Sequence, residues 1–205
     1  MSIVTYNNRS IANISAIPGA AKSLIHIKTL TASSSSTISF VNGSDDVVLD
    51  STYPIYLFKI INCHAASDSV RFTVNFRDGS TDYDATKTST YFRARHDESG
   101  STGQLGYDTG EDLAQSTGEH TLCASTGNDN DQCLAGTLIL FNPSSTTFVK
   151  HFISDMSDYR GNNYNAREIT GGYCNTTTAI DGVRFKMGSG NIDAGTIKLY
   201  GLKDS

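Results

Sequence analysis

Three residues near the middle of the chain carry side chains that commonly bind metals. His120, Cys123 and Cys133 are spaced as H-x2-C-x9-C. Structural zinc sites usually take their ligands from two close pairs, with about two to four residues between the members of a pair. Because this pattern lacks a second close pair, the sequence predicts no metal site here, and no other motif indicates a cofactor.

The chain has four cysteines, at Cys63, Cys123, Cys133 and Cys174. Four cysteines in 205 residues do not indicate a disulfide-dense scaffold. Cys123 and Cys133 bracket a loop and could form a disulfide in an oxidising environment. The alternative is four reduced thiols, some of which fill the core. The sequence leaves both states open.

Acidic residues are the other candidates for chemistry. Residues 128–131 form the oxygen-rich run NDND, but they lack the glycine and the distal glutamate of a calcium-binding loop, so a solvated turn is expected.

Asp108, Glu111 and Asp112 could supply the two carboxyl groups of glycoside hydrolysis, although acidic loops are usually only solvated. No G-x-S-x-G motif precedes a helix-like segment. We therefore expect no catalytic residues and no enzymatic activity.

Tyrosines are the candidate binding residues. Aromatic faces with asparagine and aspartate nearby are how sandwich domains hold sugars, and they also pack at the rims of subunit interfaces. The sequence does not separate these two roles. The candidates for a glycan site or an interface are Tyr91, Tyr107, Tyr159 and Tyr164.

Strands must position these residues, because apolar residues recur along the chain with a period of two. Near the end of the chain, Val183, Phe185 and Met187 alternate with arginine and lysine, and residues 70–77 alternate in the same way. Side chains on a strand point to opposite faces in turn, so each segment has one apolar and one polar face.

Two other segments, 53–63 and 137–141, are apolar on both faces. A strand that is covered on both faces lies at the centre of a sheet or at a subunit contact. About eight to ten short strands separated by turns, with no long helix, predict an all-β fold. We expect an antiparallel β-sandwich that is jelly-roll-like.

The chain is predicted to be an extended N-terminal arm followed by one domain. Residues 1–22 mix asparagine and serine with single apolar residues, so this segment cannot bury much of itself and is expected to dock on a partner. Residues 23–205 form the single β-sandwich domain. Within it, a long irregular loop excursion is expected at about 95–135.

Two shorter segments are also predicted to lie outside the sheets. Residues 110–116 are compatible with a short helix inside the loop excursion. Residues 154–165, SDMSDYRGNNYN, are expected to be a polar loop between two strands.

Charge and hydropathy exclude two classes of partner. The net charge is -5 with 18% charged residues, and there is no lysine and arginine cluster of the kind that binds nucleic acid. No apolar run approaches the roughly 20 residues of a membrane helix, and the N-terminus lacks the pattern of a signal peptide. We expect neither nucleic acid nor a membrane as partner, and folding in the cytosol.

The closing stretch, TAIDGVRFKMGSGNIDAGTIKLYGLK, resembles the C-terminal segment of virion structural proteins of tailed bacteriophages, especially those of marine bacteria. In that family an I-x-G-[IV]-R-F strand precedes S-G-N-[IV]-x-[AS]-G-[ST] and then a strand reading I-x-L-Y-G-[LI]. The upstream segments GTLILFNPSS and SVRFTVNFRDGSTDY resemble the family too, so the likeness covers roughly residues 20–205. The matching positions are Ile180, Gly182, Val183, Arg184, Phe185, Ser189, Gly190, Asn191, Ile192, Ala194, Gly195, Thr196, Ile197, Leu199, Tyr200, Gly201 and Leu202.

This resemblance implies a jelly-roll-like β-sandwich without enzymatic activity, located in the virion as a tail, tail-fibre or head-decoration component. The chain lacks coiled-coil heptads and collagen-like repeats, which favours a compact module over a fibre shaft. We expect it to self-associate as a trimer or a higher ring and to dock on other virion proteins through the arm. The alternative is a carbohydrate-binding module that recognises host surface glycan.

Overall fold

The computed structural model describes residues 24–203, which form twelve β-strands joined in antiparallel pairs. The prediction of an all-β antiparallel fold is confirmed, whereas the predicted arm, residues 1–22, lies outside the described residues. The described part of the chain contains no helix long and apolar enough to span a membrane. The strands are β1 (Leu24–Ser35), β2 (Ile38–Val41), β3 (Ile55–Ala65), β4 (Val70–Arg77), β5 (Lys87–Asp97), β6 (Gly103–Tyr107), β7 (His120–Thr126), β8 (Leu134–Phe141), β9 (Lys150–Arg160), β10 (Tyr164–Cys174), β11 (Gly182–Met187) and β12 (Ile192–Leu202).

Eight of these strands follow the order of a jelly roll. One four-stranded sheet has the order β1-β12-β3-β8, and the other has the order β2-β11-β4-β7. Successive strands of the eight alternate between the sheets, except β4 and β7, which are neighbours in the second sheet, and this is the connectivity of two Greek keys. The predicted jelly-roll-like sandwich is therefore confirmed. The two closing strands, β11 and β12, do not pair with each other, because the loop between them crosses from one sheet to the other.

The other four strands extend the first sheet sideways. They are two insertions, β5–β6 between β4 and β7, and β9–β10 between β8 and β11, and they continue the sheet as β8-β9-β10-β5-β6. We call these four strands the wing. A single bridge between Thr126 of β7 and Arg160 of β9 also links the wing to the second sheet.

Three loop predictions differ from the structure. The segment at 95–135 contains β6 and β7 rather than one irregular excursion, and residues 110–116 form a turn and coil without a helix. Residues 154–165 are not a loop, since β9 continues to Arg160. The common reason is composition: β6 is exposed throughout and the inner faces of β7 and β9 carry polar side chains, so the apolar alternation that marks a strand is weak.

The centre of the sandwich is apolar and aromatic. Phe58 of β3 lies between Phe40 and Phe185, with ring centroids 5.3 and 5.5 Å away, and Phe185 stacks on Phe72 at 5.9 Å. All four rings are completely buried. The alternating residues of β4 and β11 that were predicted to face inward do so. Truncating one such ring to alanine typically costs about 3–5 kcal/mol.

A buried polar layer lies between the wing and the second sheet. The Lys87 ammonium donates hydrogen bonds to Asn75 Oδ1 and to the Ala85 carbonyl, each at 2.6 Å, and burial lowers its pKa. The His120 ring lies 3.0 Å from Thr170 Oγ1. Buried polar groups are tolerated when they are hydrogen-bonded, so these bonds let a sheet with a polar inner face pack.

Candidate functional site

Tyr91 is the first of the four predicted binding tyrosines, and it is completely buried. It lies in β5 at an inward position, so its ring cannot contact a glycan or a neighbouring subunit. For this residue the prediction is wrong. Its neighbour Phe92 takes the outward position and is 47% exposed.

Tyr107 belongs to an apolar patch on the outer face of the wing. It ends β6 opposite Phe92, and the two rings meet edge to face with centroids 5.3 Å apart. Phe92 is in turn opposite Ile169 of β10, and Ile153 of β9 lies diagonally from Ile169, since Asp155 is directly opposite Ile169 and Ile153 is opposite Gly171. These four side chains are 39–48% exposed. We call Phe92, Tyr107, Ile153 and Ile169 the outer belt.

Opposite charges flank the outer belt. The Arg167 guanidinium binds Asp155 through two parallel hydrogen bonds of 2.9 and 2.6 Å, and this bonding lowers the pKa of Asp155. Both side chains remain substantially exposed on the same face of the sheet. An apolar patch bordered by charges of both signs is typical of a protein contact surface.

Tyr159 and Tyr164 lie together at the end of the wing, near the turn between β9 and β10. Tyr159 lines an open cavity of about 460 Å³ and donates a hydrogen bond of 2.8 Å to Glu98 Oε1. Tyr164 packs on the Arg95 guanidinium, 5.2 Å from its ring centroid. The cavity is also lined by His96, Asp97 and Asn165.

The carboxylates considered for glycoside hydrolysis are each engaged by another side chain. Arg71 Nε donates to Glu111 at 2.7 Å, Arg93 Nη1 lies 2.9 Å from Asp108, and the Tyr107 hydroxyl donates to Asp112. A hydrolytic pair needs one free nucleophile or base and one protonated acid. The geometry therefore does not favour this chemistry.

A cluster of ionisable side chains is buried beneath the wing, on the opposite side of the sheet from the outer belt. Cys123 of β7, Asp158 of β9 and Glu168 of β10 are fully buried, with one ligand atom from each lying within 4.8 Å of the others. We call these three residues the buried cluster. Arg160 approaches it, with Nη2 3.5 Å from Glu168 and Nε 3.8 Å from Asp158.

Hydrogen bonding within the buried cluster is uneven. Both Glu168 oxygens accept from the Ala124 amide, at 3.3 and 3.2 Å. Within the described residues neither Asp158 oxygen has a hydrogen-bond partner, and the same is true of the hydroxyls of Tyr91 and Thr126, which face Glu168 and Asp158. Burial raises the pKa of Asp158 to about 7 and also raises the pKa of Glu168. This carboxylate pair is therefore only partly compensated, by the Ala124 amide and by Arg160.

All four cysteines are unbridged thiols, so the Cys123–Cys133 disulfide does not form in this structure. Burial raises the pKa of the Cys63 and Cys174 thiols to about 12. Protonated buried thiols are poor nucleophiles, and these two behave as core residues.

A comparison with protein-family models, curated proteins and solved structures found no match.

Sequence reasoning missed Asp158 and Glu168 because they lie far along the chain from Cys123. The H-x2-C-x9-C pattern, from which no metal site was predicted, includes Cys123, but the structure leaves its other members, His120 and Cys133, outside the cluster. One signal was available. Asp158 shares its strand parity with Phe152 and Met156, so the alternation in β9 places a carboxylate on a buried face.

Proposed function

We propose that this protein is a non-enzymatic structural subunit of a bacteriophage virion, a tail, fibre or capsid-decoration component, that self-associates through the outer belt. The outer belt is the observation that carries the proposal, since four half-exposed apolar side chains share one face of four neighbouring strands. Two further points support it. The sequence resembles tailed-phage virion proteins over roughly residues 20–205, and the jelly roll is an architecture that viral capsid proteins use.

Burial of the outer belt contributes too little free energy to offset the cost of association by itself, so other contacts must contribute. Complete burial of a phenylalanine or isoleucine side chain contributes about 1.5–3 kcal/mol, so covering the exposed halves of one belt with a different surface of the next copy in a ring contributes on the order of 4 kcal/mol. Association costs about 4–15 kcal/mol. We therefore propose that residues 1–22 add contacts with other virion proteins, and that the assembly is a trimer or a higher ring.

Light scattering tests the self-association. The wild-type protein at micromolar concentration is expected to have the mass of a trimer or larger ring. The double variant Ile153→Lys/Ile169→Lys should be monomeric, because two charges would be buried without partners. Phe148→Lys is the matched control: Phe148 is 70% exposed but lies outside the outer belt, so this variant should keep the wild-type mass.

A monomeric wild-type protein would refute the self-association. The virion assignment is tested separately, by locating the chain in an electron-microscopy map of the intact particle. Absence of its density from every part of that map would refute the assignment even if the protein forms rings in solution.

The second candidate function is binding of host glycan, and the cavity beside Tyr159 favours it. Carboxylate, amide and imidazole groups surround one aromatic ring there, which is the composition of many sugar sites. We expect binding on a glycan array to be lost in Tyr159→Ala and kept in Tyr107→Ala, whose side chain lies outside the cavity. No binding by the wild type at high protein concentration would exclude this function.

A further inference from the structure

The Asp158 carboxylate is fully buried, and the Thr126 hydroxyl and the Ser125 backbone lie beside it without forming hydrogen bonds of normal geometry. An unpaired buried carboxylate is costly, and proteins neutralise it with a proton, a positive side chain or a metal. The nearest positive group is Arg160, whose Nε lies 3.8 Å away, beyond hydrogen-bond distance. Arg160 Nη2 also lies 3.5 Å from Glu168, so one positive charge is shared by two carboxylates.

Three independent side chains point toward the same space. The Cys123 sulfur lies within 4.8 Å of oxygens from both Asp158 and Glu168. The buried hydroxyls of Tyr91 and Thr126 face the two carboxylates and have no partner in residues 24–203. Groups of this kind fix the orientation of ligating carboxylates when a metal is present.

We propose that Cys123, Asp158 and Glu168 bind a divalent transition-metal ion, with zinc as the preferred ion. Zinc accepts thiolate and carboxylate ligands, with Zn–S of about 2.3 Å and Zn–O of about 2.0–2.2 Å. Those bond lengths place tetrahedral ligand atoms roughly 3.5 Å apart, so ligand atoms within 4.8 Å of one another need a contraction of up to about 1.3 Å. A hydroxyl or a water completes the four ligands.

The charges of the site balance when the ion is bound. The thiolate of Cys123 and the two carboxylates supply three negative charges, and Arg160 with a divalent ion supplies three positive charges. Without the ion, a neutral thiol leaves one net negative charge in the interior. A softer ligand set would favour copper(I), and an all-oxygen set would favour magnesium or calcium, so the mixed set selects zinc.

The metal would join β7 to the hairpin formed by β9 and β10. Cys123 belongs to the second sheet of the jelly roll, whereas Asp158 and Glu168 belong to the wing. Because all three ligands are buried, the ion must enter while the chain folds. The proposed role is therefore structural, since metal bound only by the folded state stabilises that state.

Refolding with and without zinc tests the proposal. The wild-type protein is unfolded in denaturant with chelator, then refolded with zinc, with cobalt, or with no metal, and passed through a desalting column. We expect one retained zinc per chain, a higher melting temperature with zinc, and resistance of the bound zinc to chelator. The cobalt form should show thiolate-to-metal charge-transfer absorption.

Two cysteine variants identify the ligand. Cys123→Ser should lose the charge-transfer absorption and the zinc-dependent rise in melting temperature. Cys174→Ser should keep both, because Cys174 is an equally buried thiol outside the cluster. If Cys123→Ser does not fold, the cobalt spectrum of the wild type alone decides whether a thiolate is a ligand.

The proposal is overturned if refolded wild type retains no metal and melts at the same temperature with and without zinc. It is also overturned if metal is retained without a thiolate band, which would indicate binding at surface histidines. Either result would mean that a shared proton neutralises the Asp158–Glu168 pair.

Discussion

His120 lies in a setting that disfavours its charged form. The ring is completely buried, and the ammonium of Lys87 is close enough to oppose a second positive charge. Burial first and this charge second lower the pKa of His120 to about 3. The imidazole is therefore neutral at neutral pH, when one ring nitrogen can bond to the Thr170 hydroxyl.

This pKa predicts a specific pH dependence of stability. In the unfolded chain His120 binds its proton near pH 6.5, whereas in the folded protein it does so near pH 3. The unfolded state thus takes up the proton first, and the free energy of unfolding falls as pH drops through this window, by about 1.4 kcal/mol per pH unit from this residue alone. His120→Gln should remove that contribution.

Chemical denaturation at several pH values between these limits measures the effect. Carboxylates titrate in both proteins, so the informative quantity is the difference in slope between wild type and His120→Gln. Parallel slopes for the two proteins would contradict the neutral buried histidine.

At the scale of the strands, β8 and β9 approach each other closely at Gly136. A Cβ atom there would lie 2.4 Å from the Asp155 carbonyl oxygen and 2.6 Å from the Met156 sulfur, so the backbones would have to separate. Gly136→Ala should lower the free energy of unfolding by about 1–3 kcal/mol. Gly106→Ala, in the exposed strand β6 with no atom within 4 Å of the added carbon, should change it by less than about 0.5 kcal/mol.

Urea unfolding of both glycine variants and the wild type checks this prediction. Equal destabilisation by the two substitutions would mean that loss of glycine itself, rather than the close approach at β9, determines the cost.

The strands that could be predicted from sequence are those with one apolar and one polar face. Phe72, Phe76 and Phe185 recur with period two and all face the core, as the alternation indicated. The wing could not be predicted in the same way. Its inner face carries residues such as Lys87 and Glu168, whose charge predicts a position in solvent. Both are buried because partners in the fold bind them: Lys87 donates to Asn75, and Glu168 lies beside Arg160.

The sites were harder to predict than the fold. Tyr107 was expected at a binding surface and lies in the outer belt, but Phe92, Ile153 and Ile169 were not anticipated, because their row runs across strands rather than along the chain. Cross-strand neighbours depend on register, and register depends on pairings that a single sequence does not specify.

For the molecule as a whole, the large sheet has the ends of the described chain at one edge and the wing at the other. Leu24 of β1 pairs with Leu202 of β12, so both ends of the described chain leave from one edge of this sheet. The outer belt lies on β9, β10, β5 and β6, at the other edge. Under the proposed function, attachment to a particle and contact with a neighbouring copy would therefore use opposite edges of the sheet.

This arrangement separates the outer belt from the edge of the sheet at which the described chain begins and ends. Seven inter-strand steps separate β1 from β6, and at about 4.8 Å per step they span roughly 34 Å. Because the outer belt begins on β9, four steps from β1, a copy tethered by its β1 end would carry its apolar patch about 19–34 Å along the sheet from the anchoring point. The spacing of anchors on a host lattice, rather than affinity alone, would then decide which neighbours can touch.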